Sequence, residues 1–574
     1  MARIAPAVRA AGERKAGAMY QDGSRRRRRR LIAAAVAVAL IVAAGGVTAG
    51  YLLLRTIGSP RQSAASYLSA WQRDRFADMA KVSVNGPAGG LAGPLRRAAA
   101  QLGARQLRLT PGQVAASGDT AQARFTAAVT LASGQVWRYQ GLLRLVKRDR
   151  RWWVAWSPAA IYPRLRPGQR FVLRAAWPAR APVLAADGTD LTSPQVIGQS
   201  GSISLLTGGV AGATAAQAKA LGPGYRAGQA IGQGGIEQAY QARLAGRPSL
   251  TIAIAGPGKR PGPAIAHFPS VPGKPVKTSL DLRVQLAASA AVRSAGTKKP
   301  VDLVALQPST GRILAVVERP GGFNRAVQGE FPPGSTFKVV TASALARDGM
   351  TPASRVQCPS QASIGGRVFH NDKNEHLGQT SLLSAFAVSC NTTFALLATQ
   401  RLDGRSLASM AEDLGYNARP ALGIPAQLAR FTVPHDPVNL AADAFGQGTD
   451  LVNPLSQATV AAAIQDGTWR PPVLVTGPAP RQLARPRPVS PGILTVLRPM
   501  MRAVVTSGTA AGVGFPPDVY GKTGTAEYGS GPSPPSHGWF IGFRGDLAFA
   551  VLVEGGGLGA DSAGPIANSF LRKL

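Results

Sequence analysis

Cysteine and histidine are scarce in this chain, whose 574 residues include only two cysteines and five histidines. Two cysteines exclude a disulfide-rich framework, and no group of cysteines and histidines has the spacing of a zinc site. We therefore expect no bound metal. The chain also lacks a Walker A loop, because Pro516 stands where the loop ending in Gly521-Lys522-Thr523 requires a glycine. We expect no nucleotide and no other cofactor.

Acidic residues are also few. The chain has 28 acidic residues against 65 lysines and arginines, which gives a formal net charge of +37. Such an excess of cations implies an anionic partner surface, which could be nucleic acid, phospholipid head groups or an acidic polymer of the cell wall. The length favours three or four domains of ordinary size.

A long uncharged run lies near the N-terminus. Leu31 to Leu54 contains no charge, follows the six arginines Arg25 to Arg30 and is closed by Arg55. A run of this length can span a bilayer, and arginines beside a span stay in the cytoplasm. We predict a basic cytoplasmic tail (1–30), a transmembrane helix (31–54) and an extracellular remainder. The alternatives are a nucleic-acid patch, or a cleaved or twin-arginine export signal that also exports the remainder.

The candidate nucleophile follows a proline and glycine turn. Phe331-Pro332-Pro333-Gly334 precedes Ser335, and an apolar periodic run begins after Lys338. This pattern predicts a turn that leads into a helix, with Ser335 and Lys338 on one helix face. A lysine activates a serine hydroxyl only if burial or a neighbouring cation lowers its pKa. Of the 13 lysines, only Lys338 has a serine three residues before it.

Two further motifs follow in a fixed order. Ser389-Cys390-Asn391 lies 54 residues after Ser335, and Lys522-Thr523-Gly524-Thr525 lies 133 residues after Ser389. This order of Ser-x-x-Lys, Ser-x-Asn and Lys-Thr-Gly resembles the signature of penicillin-binding proteins and related β-lactamases. A Gly-x-Ser-x-Gly elbow is absent around Ser335, so an α/β-hydrolase triad is not indicated.

The resemblance to class B penicillin-binding proteins extends beyond these motifs. Residues 275–574 resemble their transpeptidase domain, through the three motifs and further stretches: Ala305 to Ala315, Gly446-Gln447-Gly448 before Asn453-Pro454, Gly508-Thr509-Ala510 and Trp539 to Gly542. Upstream, Arg151 to Pro158 resembles the strand that closes the small cone-shaped domain of methicillin-resistance-type members (60–168). Arg180 to Gly188 and Gly232 to Glu237 resemble motifs of the pedestal domain (169–270).

The predicted fold is therefore multidomain. It has one N-terminal transmembrane helix, a small α+β cone-like domain, a pedestal (dimerisation-type) domain and a C-terminal α/β transpeptidase domain like that of serine β-lactamases. In the last domain the patterns predict a hairpin (Val301 to Gln307 with Arg312 to Val317), a buried helical region (Ser381 to Leu397), three strands (Val519 to Thr525, Trp539 to Phe543, Leu547 to Val553) and a C-terminal helix.

The resemblance implies a catalytic role for five residues. Ser335 would attack the penultimate D-alanine carbonyl of a stem peptide, and Lys338 would accept the serine proton. The cation of Lys522 would keep Lys338 partly neutral. Ser389 would relay the proton to the leaving amine, and Asn391 would hold both Lys338 and the substrate amide.

It also implies a substrate-binding role for the strand of the third motif. The hydroxyls of Thr523 and Thr525, with the charge of Lys522, would bind the substrate's terminal carboxylate. The backbone N–H groups of Ser335 and Thr525 would form the oxyanion hole. Gly524 would let the substrate come close, because glycine has no side chain.

These roles imply a peptidoglycan D,D-transpeptidase that is acylated and inhibited by β-lactams at Ser335. The implied partners are stem peptides, the membrane, a separate glycan polymerase and division or elongation proteins, and no nucleic acid. The alternatives are a D,D-carboxypeptidase or β-lactam sensor with the same acylation chemistry, and a non-catalytic scaffold of cell-wall synthesis.

The two cysteines leave two alternatives open. Cys358 and Cys390 are on the exported side, so they form a bridge that fixes the Ser389 loop, or they are two small buried thiols. His370, His376 and His537 are interpreted as polar loop residues or cleft walls, because the reaction already has its base.

Overall fold

The computed structural model of the protein describes residues 33–46, 57–222, 224–372, 375–531 and 533–574. A helix, α1, covers 33–46. None of the helices in these ranges is long and apolar enough to cross a membrane. The predicted tail (1–30) lies outside the described residues, and so does part of the predicted span (31–54). The chain divides into two compact units, one up to Leu173 with Ile252–Ala266, the other Arg174–Thr251 with His267–Leu574.

The first unit contains a five-stranded sheet, in the order β1-β5-β4-β3-β2, and several helices, of which α2 packs on the sheet. Its elements are α2 (Pro60–Gln72), α3 (Phe76–Ala80), β1 (Ser83–Val84), α4 (Ala92–Leu102), β2 (Ala104–Ser117), β3 (Thr120–Leu131), β4 (Val136–Arg148) and β5 (Arg151–Ala155). Alternate residues of β3 are buried, as a sheet with one covered face requires. The fully buried ring of Phe125 packs edge-on against Trp71 of α2. Gly141 faces that ring, where a Cβ atom would approach it to 2.0 Å, so the sequence has glycine there.

The segment that follows has short elements. They are β6 (Arg170–Ala176), β7 (Val183–Leu184), α5 (Pro194–Gln199), α6 (Ile203–Thr207), β8 (Gly209–Gly212), α7 (Ala215–Leu221), β9 (Ala230–Gln233), α8 (Gly235–Ala239), α9 (Gln241–Ala245), β10 (Ser249–Ala255) and β11 (Ala264–Phe268). A buried ion pair joins the two sequence stretches that resemble pedestal motifs. Arg180 donates to the carboxylate and the backbone carbonyl of Glu237 and to Gln241 Oε1. The two stretches are therefore neighbours in space, although 57 residues separate Arg180 from Glu237.

The C-terminal part has a helical region and a sheet. Its first elements are β12 (Val276–Thr278), α10 (Leu282–Arg293), β13 (Val301–Gln307), β14 (Arg312–Arg319), α11 (Arg325–Gln328), α12 (Lys338–Arg347), β15 (Arg355–Cys358), β16 (Gln361–Ile364), β17 (Arg367–His370), β18 (Gly378–Ser381), α13 (Leu382–Ala387) and α14 (Asn391–Arg401). The remaining elements are α15 (Gly404–Asp413), α16 (Pro437–Asp443), α17 (Pro454–Asp466), β19 (Thr468–Trp469), β20 (Val475–Gly477), β21 (Arg487–Pro488), α18 (Pro491–Thr506), β22 (Tyr520–Glu527), β23 (Ser536–Arg544), β24 (Leu547–Val553) and α19 (Ala563–Arg572).

A five-stranded antiparallel sheet, in the order β14-β13-β24-β23-β22, supports the third motif. Its central strands β13, β24 and β23 are buried over nearly their whole length, which explains their continuous apolar runs. The predicted hairpin, the three predicted strands and the C-terminal helix are confirmed. Strand β22 lies at the edge of the sheet, so one side of its backbone is available to another strand.

The predicted helical region from Ser381 to Leu397 is two helices, α13 and α14, with a break between them. Ser389 lies in the break with a φ of +67°, outside the helical range. The turn is closed by hydrogen bonds from the Ser389 N–H to Phe386 O (3.0 Å) and from the Cys390 N–H to Ala385 O (2.8 Å). Periodicity alone did not reveal this break, because the apolar spacing continues through it.

Candidate active site

Ser335 lies in a single turn of 3-10 helix, Gly334–Phe337, immediately before α12. Gly334 has a φ of +53°, and a Cβ atom on it would approach Thr525 O to 2.4 Å. Glycine is therefore required at this position, both for its conformation and for the close approach of β22. The turn directs the half-buried Ser335 hydroxyl towards Lys338, whose Nζ lies 2.9 Å from Ser335 Oγ. The prediction that these two side chains share one face is confirmed.

The amine of Lys338 is fully buried and surrounded by oxygen atoms. Besides Ser335 Oγ, its Nζ contacts Ser389 O (2.6 Å), Ser389 Oγ (3.1 Å) and Asn391 Oδ1 (2.5 Å). An ammonium has three hydrogens and no lone pair. A neutral amine has two hydrogens and a lone pair, which can accept a proton from a hydroxyl. Burial, and then the nearby cation of Lys522, lower the pKa of Lys338 well below its usual value, against the opposing charges of Asp372 and Glu375. The lowered pKa favours the neutral amine, and the geometry places that amine where it can accept the proton of the Ser335 hydroxyl.

Ser389 joins the two lysines of the site. Its Oγ lies 3.1 Å from Lys338 Nζ and 2.8 Å from Lys522 Nζ. The left-handed backbone conformation at Ser389 places both its carbonyl and its hydroxyl at Lys338. Asn391, the first residue of α14, donates from Nδ2 to His370 O (3.1 Å) while its Oδ1 contacts Lys338. A proton can therefore pass between Ser335, Lys338, Ser389 and Lys522 through direct contacts.

Lys522 is the second fully buried lysine, and it comes from strand β22. Its Nζ also donates to Thr523 O (3.2 Å) and lies 5.4 Å from the ring centroid of Phe386. Burial lowers the pKa of Lys522 to about 7. The Oγ1 atoms of Thr523 and Thr509 are 2.6 Å apart, so Thr509 also belongs to the site. The sequence contained Thr509 in a family-like stretch but gave it no role.

The other two residues of the third motif lie on the same strand. Thr525 is half-buried, and its carbonyl oxygen accepts a long hydrogen bond from Gln447 Nε2 (3.4 Å). A Cβ atom on Gly524 would approach Thr336 Cγ2 to 2.9 Å and Trp539 Cβ to 3.0 Å. The structure thus gives Gly524 a packing reason, in addition to the closeness of substrate that the sequence suggested.

A loop that sequence reasoning left without a role supports the nucleophile turn. The Gly334 N–H donates to Gly446 O (3.0 Å), and Gly446 has a φ of +76°. Behind this loop lie two fully buried carboxyl groups, Asp443 and Asp450. The Asp443 carboxylate accepts from the Thr449 N–H (2.9 Å), and burial with the neighbouring Asp443 raises the pKa of Asp450 far above its usual value. The protonated form of Asp450 is therefore favoured relative to an exposed aspartate.

Cys358 and Cys390 form a disulfide bond in the structure, which decides between the two alternatives of the sequence. Cys390 lies between Ser389 and Asn391, and Cys358 ends β15. The bond therefore attaches the second motif directly to a strand. Within the described ranges, no cluster of three or more histidine, cysteine, aspartate or glutamate side chains could hold a metal ion.

The contacts of His370 and His537 show what these two histidines do near the site. His370 contributes its backbone carbonyl to Asn391. His537 is buried, stacks on Tyr528 with ring centroids 4.1 Å apart, and accepts from the Gly555 N–H at Nδ1 (3.2 Å). Burial lowers the pKa of His537 to about 4, so this side chain is neutral at neutral pH.

Comparison with known proteins identifies the family. Residues 302–573 match the penicillin binding protein transpeptidase domain, and residues 59–169 match the NTF2-like N-terminal transpeptidase domain. The peptidoglycan D,D-transpeptidase PbpA of Mycolicibacterium smegmatis is 33% identical over 341 residues, 50% of this chain and 68% of that protein. PbpA of Mycobacterium tuberculosis is 31% identical over 340 residues, with the same shares.

The fold also has a counterpart among solved structures. The crystal structure of Pseudomonas aeruginosa PBP2 in complex with WCK 5153 superimposes with a TM-score of 0.58 and 24% identity, covering 70% of this chain and 96% of that one. That similarity shows the fold. The chain therefore belongs to the class B penicillin-binding proteins, with an NTF2-like N-terminal domain and a C-terminal transpeptidase domain.

Proposed function

We propose that Ser335 is the nucleophile of this chain, which by its family is a peptidoglycan D,D-transpeptidase. The observation that carries the assignment is the 2.9 Å contact between Ser335 Oγ and the buried amine of Lys338. A neutral amine at this distance takes the hydroxyl proton as Oγ attacks the carbonyl of the penultimate D-alanine. The C–N bond to the terminal D-alanine breaks, and an acyl-enzyme on Ser335 remains.

Ser389 and Asn391 serve the proton transfer in this proposal. The leaving amine needs a proton, and Ser389 Oγ, which contacts both lysine amines, delivers it. Asn391 Oδ1 holds Lys338, while one Nδ2 hydrogen is bonded to His370 O. The second Nδ2 hydrogen remains for the substrate amide. In the second half-reaction an acceptor amine enters where D-alanine left, and the same groups work in reverse.

Strand β22 binds the substrate backbone in this proposal. It is an edge strand, so an extended stem peptide adds beside it as a further strand. The charge of Lys522 and the hydroxyls of Thr523 and Thr525 bind the terminal carboxylate. The N–H groups of Ser335 and Thr525 receive the oxyanion, and loss of one such donor typically costs roughly a hundredfold or more in rate.

The assignment is tested by acylation with a fluorescent penicillin and mass mapping of the labelled peptide. We expect the label on Ser335 and its loss in Ser335→Ala. Ser343→Ala is the matched control, because Ser343 lies in α12 but its hydroxyl bonds to Val339 O (2.7 Å). Label on another residue, or labelling retained in Ser335→Ala, would refute the role of Ser335. Release of D-alanine with and without an amine acceptor then separates transpeptidation from D,D-carboxypeptidation.

We also propose the topology that the sequence suggested. Residues 31–54 anchor the chain in the membrane, and residues 1–30 remain in the cytoplasm. The N-terminal domain, the pedestal and the transpeptidase domain are extracellular and act at the cell wall. The support is the uncharged run after six arginines. A separate glycan polymerase then supplies the strands that this enzyme cross-links, together with division or elongation proteins. Protease added to intact cells tests the topology, because it should digest the transpeptidase domain and leave the tail.

A further inference from the structure

The NTF2-like domain has an exposed sheet face with four arginines. In strands β2, β3 and β4 the residues that alternate with the buried ones point away from the core. The register pairs Arg108 with Ala128 and Ala128 with Arg138, and it pairs Arg124 with Leu142 and Gln122 with Arg144. Arg108, Arg124, Arg138 and Arg144 therefore lie on the same outward face, and all four are exposed.

The charge of this face is uncompensated. Among the described residues, none of the four arginines forms an ion pair. The domain (59–169) has four acidic residues, and all of them lie in turns or in α3. Two of these acids already pair with lysines, Asp78 with Lys81 and Asp119 with Lys147. Arg105 of β2 and Arg148 of β4 are exposed as well, whereas Thr126 and Gln140 of the outward face bond to each other.

The spacing of the arginines excludes a single small anion as the ligand. Arg138 and Arg144 are six residues apart on β4, about 20 Å along the strand. Arg108 lies two strands away from Arg138, about 10 Å across the sheet. A ligand that contacts all four must be extended and carry repeated negative charges. An arginine guanidinium can donate two parallel hydrogen bonds to two oxygen atoms of one phosphate group, so phosphodiesters are suitable ligands for these side chains.

The shape of the face decides between a polymer and a lipid surface. A β-sheet is twisted, so a flexible chain can follow the face whereas a planar bilayer touches only part of it. The face also lacks the exposed large apolar side chains that anchor proteins in a bilayer. We propose that this face binds a linear phosphodiester polymer of the cell wall and so holds the enzyme at its substrate. The proposal rests on the proposed export of the domain.

The test uses the full chain in nanodiscs of zwitterionic lipid, with fluorescent poly(glycerol phosphate) as the probe. Near an anionic partner each arginine contributes about a fivefold effect on binding. The double variant Arg124→Gln, Arg144→Gln should therefore raise the Kd about 25-fold and weaken the salt dependence. The matched control, Arg96→Gln with Arg97→Gln on α4, removes the same charge and should change the Kd less than twofold.

Three outcomes would overturn the proposal. They are no binding of the polymer to the unmodified chain, an equal loss in both double variants, or binding of anionic vesicles through these arginines without binding of the polymer. A polyglutamate probe of equal charge tests the preference for phosphate, and equal or tighter binding of it would contradict that preference. Labelling of Ser335 by fluorescent penicillin in the same samples reports the catalytic assignment separately, and it should be equal in all variants.

Discussion

Replacing Lys522 by methionine should move the pH dependence of acylation. Both lysine amines bond to Ser389 Oγ, at 3.1 and 2.8 Å, so the two Nζ atoms are at most about 5.9 Å apart. Two like charges at that distance repel by about 3 kcal/mol at an effective dielectric constant near 20. Removal of the Lys522 charge should therefore raise the pKa of Lys338.

The assay is the second-order rate constant for acylation by a fluorescent penicillin, measured from pH 5 to pH 10. In the proposed mechanism acylation needs a neutral Lys338, so its acid limb should move to higher pH in Lys522→Met. The unmodified chain should also lose rate above about pH 7, where Lys522 loses the charge proposed to bind the carboxylate. That alkaline limb should be absent from the variant, whose rate is lower throughout.

Thr525→Val is the matched control, because it weakens the proposed carboxylate site without changing any charge. Its rate should fall while both limbs stay at the pH of the unmodified chain. An acid limb that does not move in Lys522→Met would refute the argument, since the group that titrates could not then be Lys338 in contact with Lys522. Thermal unfolding checks that each variant is folded.

Three further results are expected. Gly334→Ala, whose Cβ would approach Thr525 O to 2.4 Å, should lower the unfolding free energy by about 1–3 kcal/mol and slow acylation; wild-type values in both measurements would contradict the close contact. The Cys358–Cys390 bond closes a loop of 32 residues, so its reduction should lower the unfolding free energy by about 3–4 kcal/mol. Reduction should also slow the labelling of Ser335, because the second motif is then held less firmly. An unchanged labelling rate after reduction would contradict the positioning role. Asp450 has a raised pKa in the folded state, so its contribution to stability is complete in acid and is lost as pH rises through that raised pKa. Asp450→Asn should therefore weaken the fall of the melting temperature with rising pH, and parallel curves for the two proteins would refute this.

The elements around the site were largely predictable because their patterns are local. Leu547–Val553 is an uninterrupted apolar run, Val301–Gln307 is apolar apart from Asp302 and Gln307, and both have the predicted bounds. The pair Ser335 and Lys338 was also local, since a helix fixes the geometry of residues three apart. Local patterns of this kind need no knowledge of which distant segments meet.

The contacts that complete the site were not predictable from the chain alone. Ser389 and Lys522 are 133 residues apart, and Thr509 reaches Thr523 only because α18 ends beside β22. The left-handed conformation of Ser389 breaks an apolar pattern that looked continuous. The order of the motifs suggested that these residues act together. It could not give the distances between them, or the disulfide that attaches the second motif to β15.

The burial of two lysines beside each other indicates how substrate binding and charge are linked. In the described part of the chain no carboxylate pairs with Lys338 or Lys522, and both amines are fully buried. A buried charge without a partner is costly, and burial accordingly lowers the pKa of both amines. In the mechanism we propose, a substrate carboxylate at Lys522 would supply the missing negative charge and raise the pKa of that lysine. The proton that Lys522 then retains would leave Lys338 as the amine that accepts the Ser335 proton.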